Sequence, residues 1–382
     1  MKKVCMLGSG AWGTAVSLLL ADNGFDVNMW CCEREVAKSI TEENCNKIYF
    51  PEHKLNKKIK AFTHIERAMR DCDIIFEATP VKFLRSVLEQ AKPYYNKNQI
   101  WVVLSKGIEQ ETLLFPSQII DHVFMSETDA SPKIEQEETL APSGVIGETL
   151  RFKMPPGITG IKKVVVSGPS FAKDVAAKQI TAVDIASQDP EIAHKVSKLL
   201  SNNYFKTYIK EDILGLQIGG ALKNVVALAI GMLDGAGYTD NAKAFALTRF
   251  LHEMSQLAEF LGVKKEILYG LSGMGDLVLT CMGGLSRNLM VGKKLGAGQN
   301  LKDILLQTKA IPEGVNTTKS VYEIIQQCKL GTPEYMLNHN LIWGDNLEKT
   351  QEQQINMPLF ECIYEIIYGD KTIKDFLEVL KA

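Results

Sequence analysis

Val4-Cys5-Met6-Leu7-Gly8-Ser9-Gly10-Ala11-Trp12-Gly13 lies at the start of the chain, and its reading decides the fold. Four apolar residues form a short run that Gly8 ends. Residues 14–23 have the small, apolar pattern of a helix, which Gly24 stops, and residues 27–30 form a second apolar run. Strand, glycine turn, helix and strand in that order open a right-handed βαβ unit. The glycines fit G-x-G-x-x-G. Gly8 permits a tight turn, Gly10 lets a pyrophosphate approach the backbone, and Gly13 lets the helix pack on the sheet. Phosphates would then face the free N–H groups of the helix start, with Ser9, Ala11 and Trp12 around them. The pattern predicts dinucleotide binding; the alternative is a merely structural turn.

Outward from that unit, apolar runs recur at 73–79, 100–105 and 164–167, with helical stretches at 81–91 and 113–123. Alternating strands and helices predict an α/β fold: a Rossmann-like, doubly wound parallel sheet covered on both faces. Near residue 205 the texture changes. From 212 onward the periodicity is almost wholly helical, with long helices at 213–233 and 242–261. We therefore expect a dinucleotide-binding domain over 1–207 and an all-helical catalytic domain over 208–382. Two polar stretches interrupt the plan. Residues 126–160 read as an inserted surface excursion, and 331–354 as a loop.

A chain of 382 residues exceeds one ordinary core, in keeping with two domains. Its 46% hydrophobic and 23% charged content is that of a globular protein, and a net charge of −2 gives no sign of a nucleic-acid partner. Met1-Lys2-Lys3 runs straight into the first strand without a signal-peptide pattern, so the chain reads as cytoplasmic. The eight cysteines show no metal-ligand spacing and read as reduced thiols, with no metal expected.

Several residues carry candidate chemistry. After the second strand comes Trp30-Cys31-Cys32-Glu33-Arg34. Glu33 lies slightly late to hold a ribose 2′-hydroxyl, Arg34 could meet a 2′-phosphate, and NAD, NADP or both remain open. The 213–233 helix is long enough to span a membrane, but Gln217, Lys223 and Asn224 near its middle favour a protein core. A lysine there is anomalous. Lys223 leans over Gly219 and Gly220, which would clear space beside its ammonium. Burial lowers its pKa and suits it to act as a general base, the alternative being a lysine that snorkels to the surface. Gly273-Met274-Gly275-Asp276 with Thr280, and Ser286-Arg287-Asn288, are either sites or simply loops and caps. Ser105-Lys106-Gly107 and Ser167-Gly168-Pro169-Ser170 each follow a strand, where open α/β sheets place their ligands.

These blocks, with Asn46-Lys47-Ile48-Tyr49-Phe50-Pro51, Asp240-Asn241-Ala242-Lys243 and Glu313-Gly314, resemble the NAD(P)-dependent glycerol-3-phosphate dehydrogenase family, bacterial type. The resemblance runs over nearly the whole chain. It implies that Lys223 transfers the proton and that Lys106 contacts substrate and cofactor, with Asp276 and Thr280 beside the base. It gives Ser286, Arg287 and Asn288 to the substrate phosphate, and Gly168 and Ser170 to further substrate contacts. It gives Trp12, Ala172, Arg287 and Glu313 to the cofactor, with Cys32, Arg34 and Ile311 at matching places. The implied reaction joins NADH or NADPH to dihydroxyacetone phosphate and glycerol 3-phosphate, feeding phospholipid synthesis. The partners expected are that small phosphate substrate and a second copy in a homodimer, with no nucleic acid and no membrane span. The family often has His or Arg where this chain has Cys31-Cys32, and two valines where it has Ile311-Pro312. Read from the residues alone, a 6-phosphogluconate-type dehydrogenase or a sensor that binds NAD(H) without turnover also fits.

Overall fold

The computed structural model describes residues 3–124, 160–284, 286–307, 312–329 and 355–382, and the backbone of 133–140 and 146–153. The opening unit folds as its sequence predicts. Strand β1 (Lys3–Leu7) leads through the glycine turn into α1 (Ala11–Asp22) and β2 (Asp26–Trp30). Next come α2 (Arg34–Glu43), a small ribbon of β3 (Cys45–Asn46) and β4 (Phe50–Lys54), then β5 (Ile59–Phe62) and α3 (Ile65–Met69). The sheet continues with β6 (Ile74–Glu77), α4 (Val81–Ala91), β7 (Ile100–Val103) and α5 (Pro116–Phe124). Within the expected excursion, β8 (Lys133–Leu140) and β9 (Ile146–Lys153) pair as an antiparallel ribbon apart from the main sheet. The other residues of 126–159, and the loop expected at 331–354, lie outside the described residues. Then follow β10 (Lys162–Ser167), α6 (Ala172–Ala176), β11 (Thr181–Ala186), α7 (Pro190–Leu200) and β12 (Phe205–Lys210).

The sheet has eight strands in the order β12-β11-β10-β7-β6-β1-β2-β5. The six from β10 to β5 are parallel, and β11 pairs antiparallel with β10. The sheet is parallel-dominated, as the sequence predicts, with one antiparallel pair at the β10–β11 edge, where the connecting helix is short. Crossing back over a six-residue strand needs about 20 Å. The five-residue α6 supplies only about 7.5 Å. The chain therefore turns back where it is. The longer α7 then makes the crossover that sets β12 parallel to β11. The side-chain period of two divides the core. Val4 and Met6 of β1 face one cluster, Cys5 and Leu7 the other. Strand order reverses between β1 and β6, so the ligand crevice falls at the carboxyl ends of those strands.

The remaining described elements are helical. Helix α8 (Ile213–Gly235) is buried at every residue from Gly215 to Leu233, as the core of the helical part. It passes the length and hydropathy test for a membrane span, but its apolar surface is covered by protein. Around it lie α9 (Asp240–Phe260), α10 (Asp276–Met282), α11 (Arg287–Gly296), α12 (Leu301–Leu306), α13 (Glu313–Lys329), α14 (Pro358–Tyr368) and α15 (Ile373–Lys381). Helices α8 and α11 meet backbone to backbone. A Cβ on Gly231 or Gly235 would collide with the carbonyls of Leu289 or Lys293, and one on Gly292 or Gly296 with those of Leu228 or Met232. With no side chains between them, the axes approach as closely as backbones allow.

Candidate active site

The glycine turn is built for a dinucleotide. Gly8 has φ +115°, and a Cβ there would lie 2.8 Å from the Ala78 carbonyl; one on Gly13 would strike the Gly8 carbonyl. A Cβ on Gly10 would meet nothing within 4 Å, so the turn is open on the side where a pyrophosphate approaches. No side chain caps α1, which leaves its first N–H groups available. The turn is held from behind by Asn46, whose sequence signal was only its place in a motif. Buried Asn46 donates from Nδ2 to the Ser9 carbonyl (2.7 Å) and to Thr14 Oγ1 (2.9 Å). These residues fit the phosphates of a nicotinamide dinucleotide. Ala11, Trp12 and Ala172 pack together against the sheet beside the turn.

Beyond β2, Cys31 is buried, and Cys32, Glu33 and Arg34 are exposed. The Tyr49 hydroxyl donates to Glu33 Oε1 at 2.6 Å. Arg34 lines a groove of about 340 Å³ with Lys38, Phe62, His64 and Arg67. At the ends of β6 and β7 stands a residue that the sequence reading missed. Fully buried Glu77 accepts the Thr79 N–H (2.5 Å) and the Ser105 hydroxyl (2.9 Å), joining two loops of the crevice. Burial pushes its carboxyl up to about 7, against those hydrogen bonds.

Ser105 leads to the charged centre. Lys106 donates to Asp276 Oδ2 at 2.6 Å, and Lys223 to Asp276 Oδ1 at 2.5 Å. Asp276 thus bridges two lysines, one after a sheet strand and one inside α8. Burial lowers Lys223 to about 8; Asp276 pulls it back up, and Lys106 opposes that pull. Burial would raise Asp276, but the two ammoniums hold it below the usual carboxylate range. The Thr280 hydroxyl donates to the Asp276 carbonyl at 2.6 Å. Lys106 also donates to the Gly168 carbonyl at 3.4 Å, and Ser170 donates to the same oxygen at 3.0 Å.

Two expectations change here. Gly219 and Gly220 do not leave space beside the ammonium. A Cβ on Gly219 would lie 2.5 Å from the Ser272 carbonyl; one on Gly220 would lie 3.1 Å from Ser167 Oγ and 3.3 Å from Lys106 Cγ. The glycines admit the turn before Asp276 and the stem of Lys106, and so assemble the triad. Nor do Ser286, Arg287 and Asn288 act as one cluster. Ser286 Oγ caps α11 by accepting the Leu289 N–H (3.2 Å). Asn288 donates to Asn224 Oδ1 (2.9 Å) and accepts the Gly314 N–H (3.0 Å), tying α8, α11 and α13 together. Arg287 is exposed and, among the described residues, makes no hydrogen bond or ion pair. It acts electrostatically on Tyr49 and Glu313. Glu313 opens α13; burial raises its carboxyl against the pull of Arg287, Lys223 and Lys106. Ile311 lies outside the described residues.

A doubly wound sheet with an open glycine turn at its switch point, and a lysine of lowered pKa at the same edge, defines an NAD(P)-dependent oxidoreductase. Residues 3–131 match the family model for the NAD-dependent glycerol-3-phosphate dehydrogenase N-terminus, and residues 212–343 match that for its C-terminus. The chain belongs to the NAD(P)-dependent glycerol-3-phosphate dehydrogenase family. It is 35% identical, over all of its length and 94% of the relative's, to glycerol-3-phosphate dehydrogenase (NAD(P)+) of Bacillus subtilis. It is 37% identical to that of Syntrophotalea carbinolica, over 86% of this chain and 89% of the relative. The solved glycerol-3-phosphate dehydrogenase of Coxiella burnetii superposes with a TM-score of 0.79 at 26% identity, covering 100% of this chain and 98% of its own.

Proposed function

We propose that the chain reversibly reduces dihydroxyacetone phosphate to sn-glycerol 3-phosphate, supplying phospholipid synthesis. The observation that carries this reading is the triad of Lys106, Asp276 and Lys223 on the crevice edge of the sheet. A bound NADH or NADPH supplies the hydride. Lys223, with a pKa of about 8, donates a proton to the carbonyl oxygen and removes it in the reverse direction. Lys106 adds a second positive charge facing the developing oxyanion, and Asp276 holds both ammoniums in place. Arg287, which has no ion pair among the described residues, takes the substrate phosphate, Asn288 and Ser286 fix the end of α11 that carries it, and Gly168, Ser170 and Thr280 frame the site. Residues Gly8–Gly13, Ala172, Cys32, Ile311 and Glu313 belong to the cofactor side, with the 2′ position of the adenosine ribose left to either Glu33 or Arg34 after β2. The reading divides the chain at 207/208, between cofactor and catalytic parts, and places a homodimer in the cytoplasm.

The test follows NADH absorbance with dihydroxyacetone phosphate. Turnover is expected, and its absence in folded protein that binds NADH refutes the reading. Lys223→Ala should lose about 10²–10⁴-fold in turnover while NADH binding, read by fluorescence titration, survives. Near-normal turnover removes Lys223 from the acid–base role.

A further inference from the structure

We propose that Glu33 makes this chain prefer NADH: its carboxylate, held by Tyr49, accepts the 2′-hydroxyl of the adenosine ribose and repels a 2′-phosphate. The inference rests on the dinucleotide reading above and deepens it.

Position comes first. Glu33 stands three residues beyond β2 and twenty beyond Gly13, within the stretch where Rossmann folds keep the acid that takes this hydroxyl. A relay of hydrogen bonds then links it to the glycine turn. Asn46 donates to the Ser9 carbonyl (2.7 Å), the Tyr49 N–H donates to Asn46 Oδ1 (3.1 Å), and the Tyr49 hydroxyl donates to Glu33 Oε1 (2.6 Å). That relay uses one carboxylate oxygen of Glu33. Oε2 carries no hydrogen bond among the described residues and keeps its acceptor sites for a ribose hydroxyl. Glu33 and burial together hold the Tyr49 hydroxyl protonated up to about 12, so it remains a donor throughout the working range.

Arg34 is the competing group, and it sits elsewhere. Its groove is lined by α2 and by residues 61–64 and 67; no residue of the glycine turn, Glu33 or Tyr49 lines it. Cys32, the other exposed side chain of this loop, is a thiol and brings no cationic group to a phosphate. The side chain tied to the turn is therefore anionic. A hydroxyl finds an acceptor there, whereas a phosphate finds a like charge.

The test measures dissociation constants of NADH and NADPH by fluorescence titration, with no substrate present. The unsubstituted protein should bind NADH at least about tenfold more tightly, the discrimination that a hydrogen bond to a charged group supplies. Glu33→Gln, at an exposed position, should cut that ratio at least about fivefold, and Tyr49→Phe should move it the same way by less. Arg34→Ala should leave it unchanged. Equal or tighter NADPH binding, or a ratio that ignores Glu33→Gln, overturns the proposal. So does Arg34→Ala weakening NADPH alone, because the phosphate would then be read in the groove. Turnover with dihydroxyacetone phosphate is scored separately: its absence sinks the functional reading and leaves the binding ratio standing.

Discussion

Replacing Asp276 by Asn removes the negative charge between the buried Lys223 and the half-buried Lys106 and keeps the side chain's shape. At 2.5 and 2.6 Å, each ion pair carries about 6–7 kcal/mol of Coulomb attraction at an effective dielectric constant near 20. Desolvation offsets most of it, and breaking such a pair costs about 3–5 kcal/mol if both lysines stay charged. Lys223 has a cheaper course, because its pKa is already down at about 8. Loss of even a quarter of one attraction, about 1.6 kcal/mol, lowers that pKa by about one unit more. The sign is then fixed. Carbonyl reduction needs protonated Lys223, so kcat/KM for dihydroxyacetone phosphate should fall above about pH 8 in the unsubstituted protein and above about pH 7 in Asp276→Asn. Alcohol oxidation needs the neutral amine, so its rising limb should move down by the same amount. The assay is the pH profile of kcat/KM in both directions, with circular dichroism to show that the variant is folded. A limb that stays near 8 in the folded variant, or moves upward, refutes the assignment of that pKa to the triad.

Stability should carry the mark of Glu77. Its carboxyl is raised from 4.5 to about 7, so the folded state holds a proton that the unfolded chain releases, and stability falls as pH rises through that window. The loss amounts to at most about 3 kcal/mol, and in Glu77→Gln the drop in urea midpoint between those pH values should shrink; an unchanged drop would clear Glu77 of it. The paired glycines of α8 should differ sharply. Gly219→Ala sets a methyl 2.5 Å from a backbone carbonyl and should cost roughly 1–3 kcal/mol in chemical denaturation, along with most of the turnover. Gly220→Ala meets only side-chain atoms, at 3.1 Å and beyond, and should retain most of both. Equal effects at the two positions would show that the Ser272 backbone yields as easily as a lysine stem.

The parts legible in the sequence were those decided by neighbours along the chain. The glycine turn could be read because its three glycines fall within six residues; backbone contacts require glycine at Gly8 and Gly13, and Gly10 faces open space. Lys223 stood out as a charge inside an apolar helix, and it is buried as that pattern implied. What the residues alone could not give was decided across distance. Asp276 is 53 residues from Lys223 and 170 from Lys106, so only the family resemblance set it beside the base, and its bridge to Lys106 went unread. Glu77 lay inside the run at 73–79 and passed as one more strand residue. The reversed direction of β11 depends on the reach of α6 rather than on its own residues. Edge strands β5 and β12 are partly exposed, and β12 carries lysines on its open side, so neither had the apolar run that marked the central strands. Asn288, named in the sequence for an anion, also holds three helices together, a structural role that no local pattern announced.

The four-glycine contact of α8 and α11 has a consequence for how this enzyme can diversify. Where side chains separate two helices, rotamer changes absorb small substitutions, and the far ends of the helices scarcely notice. Here the contact has no such slack, because Gly231, Gly235, Gly292 and Gly296 press directly on main-chain oxygens. Lys223 rides on one helix and Arg287 begins the other. The contact therefore works like a fixed calliper between Lys223 and Arg287. Substitutions at its jaws would alter the length of substrate that fits between them, whereas substitutions around the crevice would alter only which groups line the path.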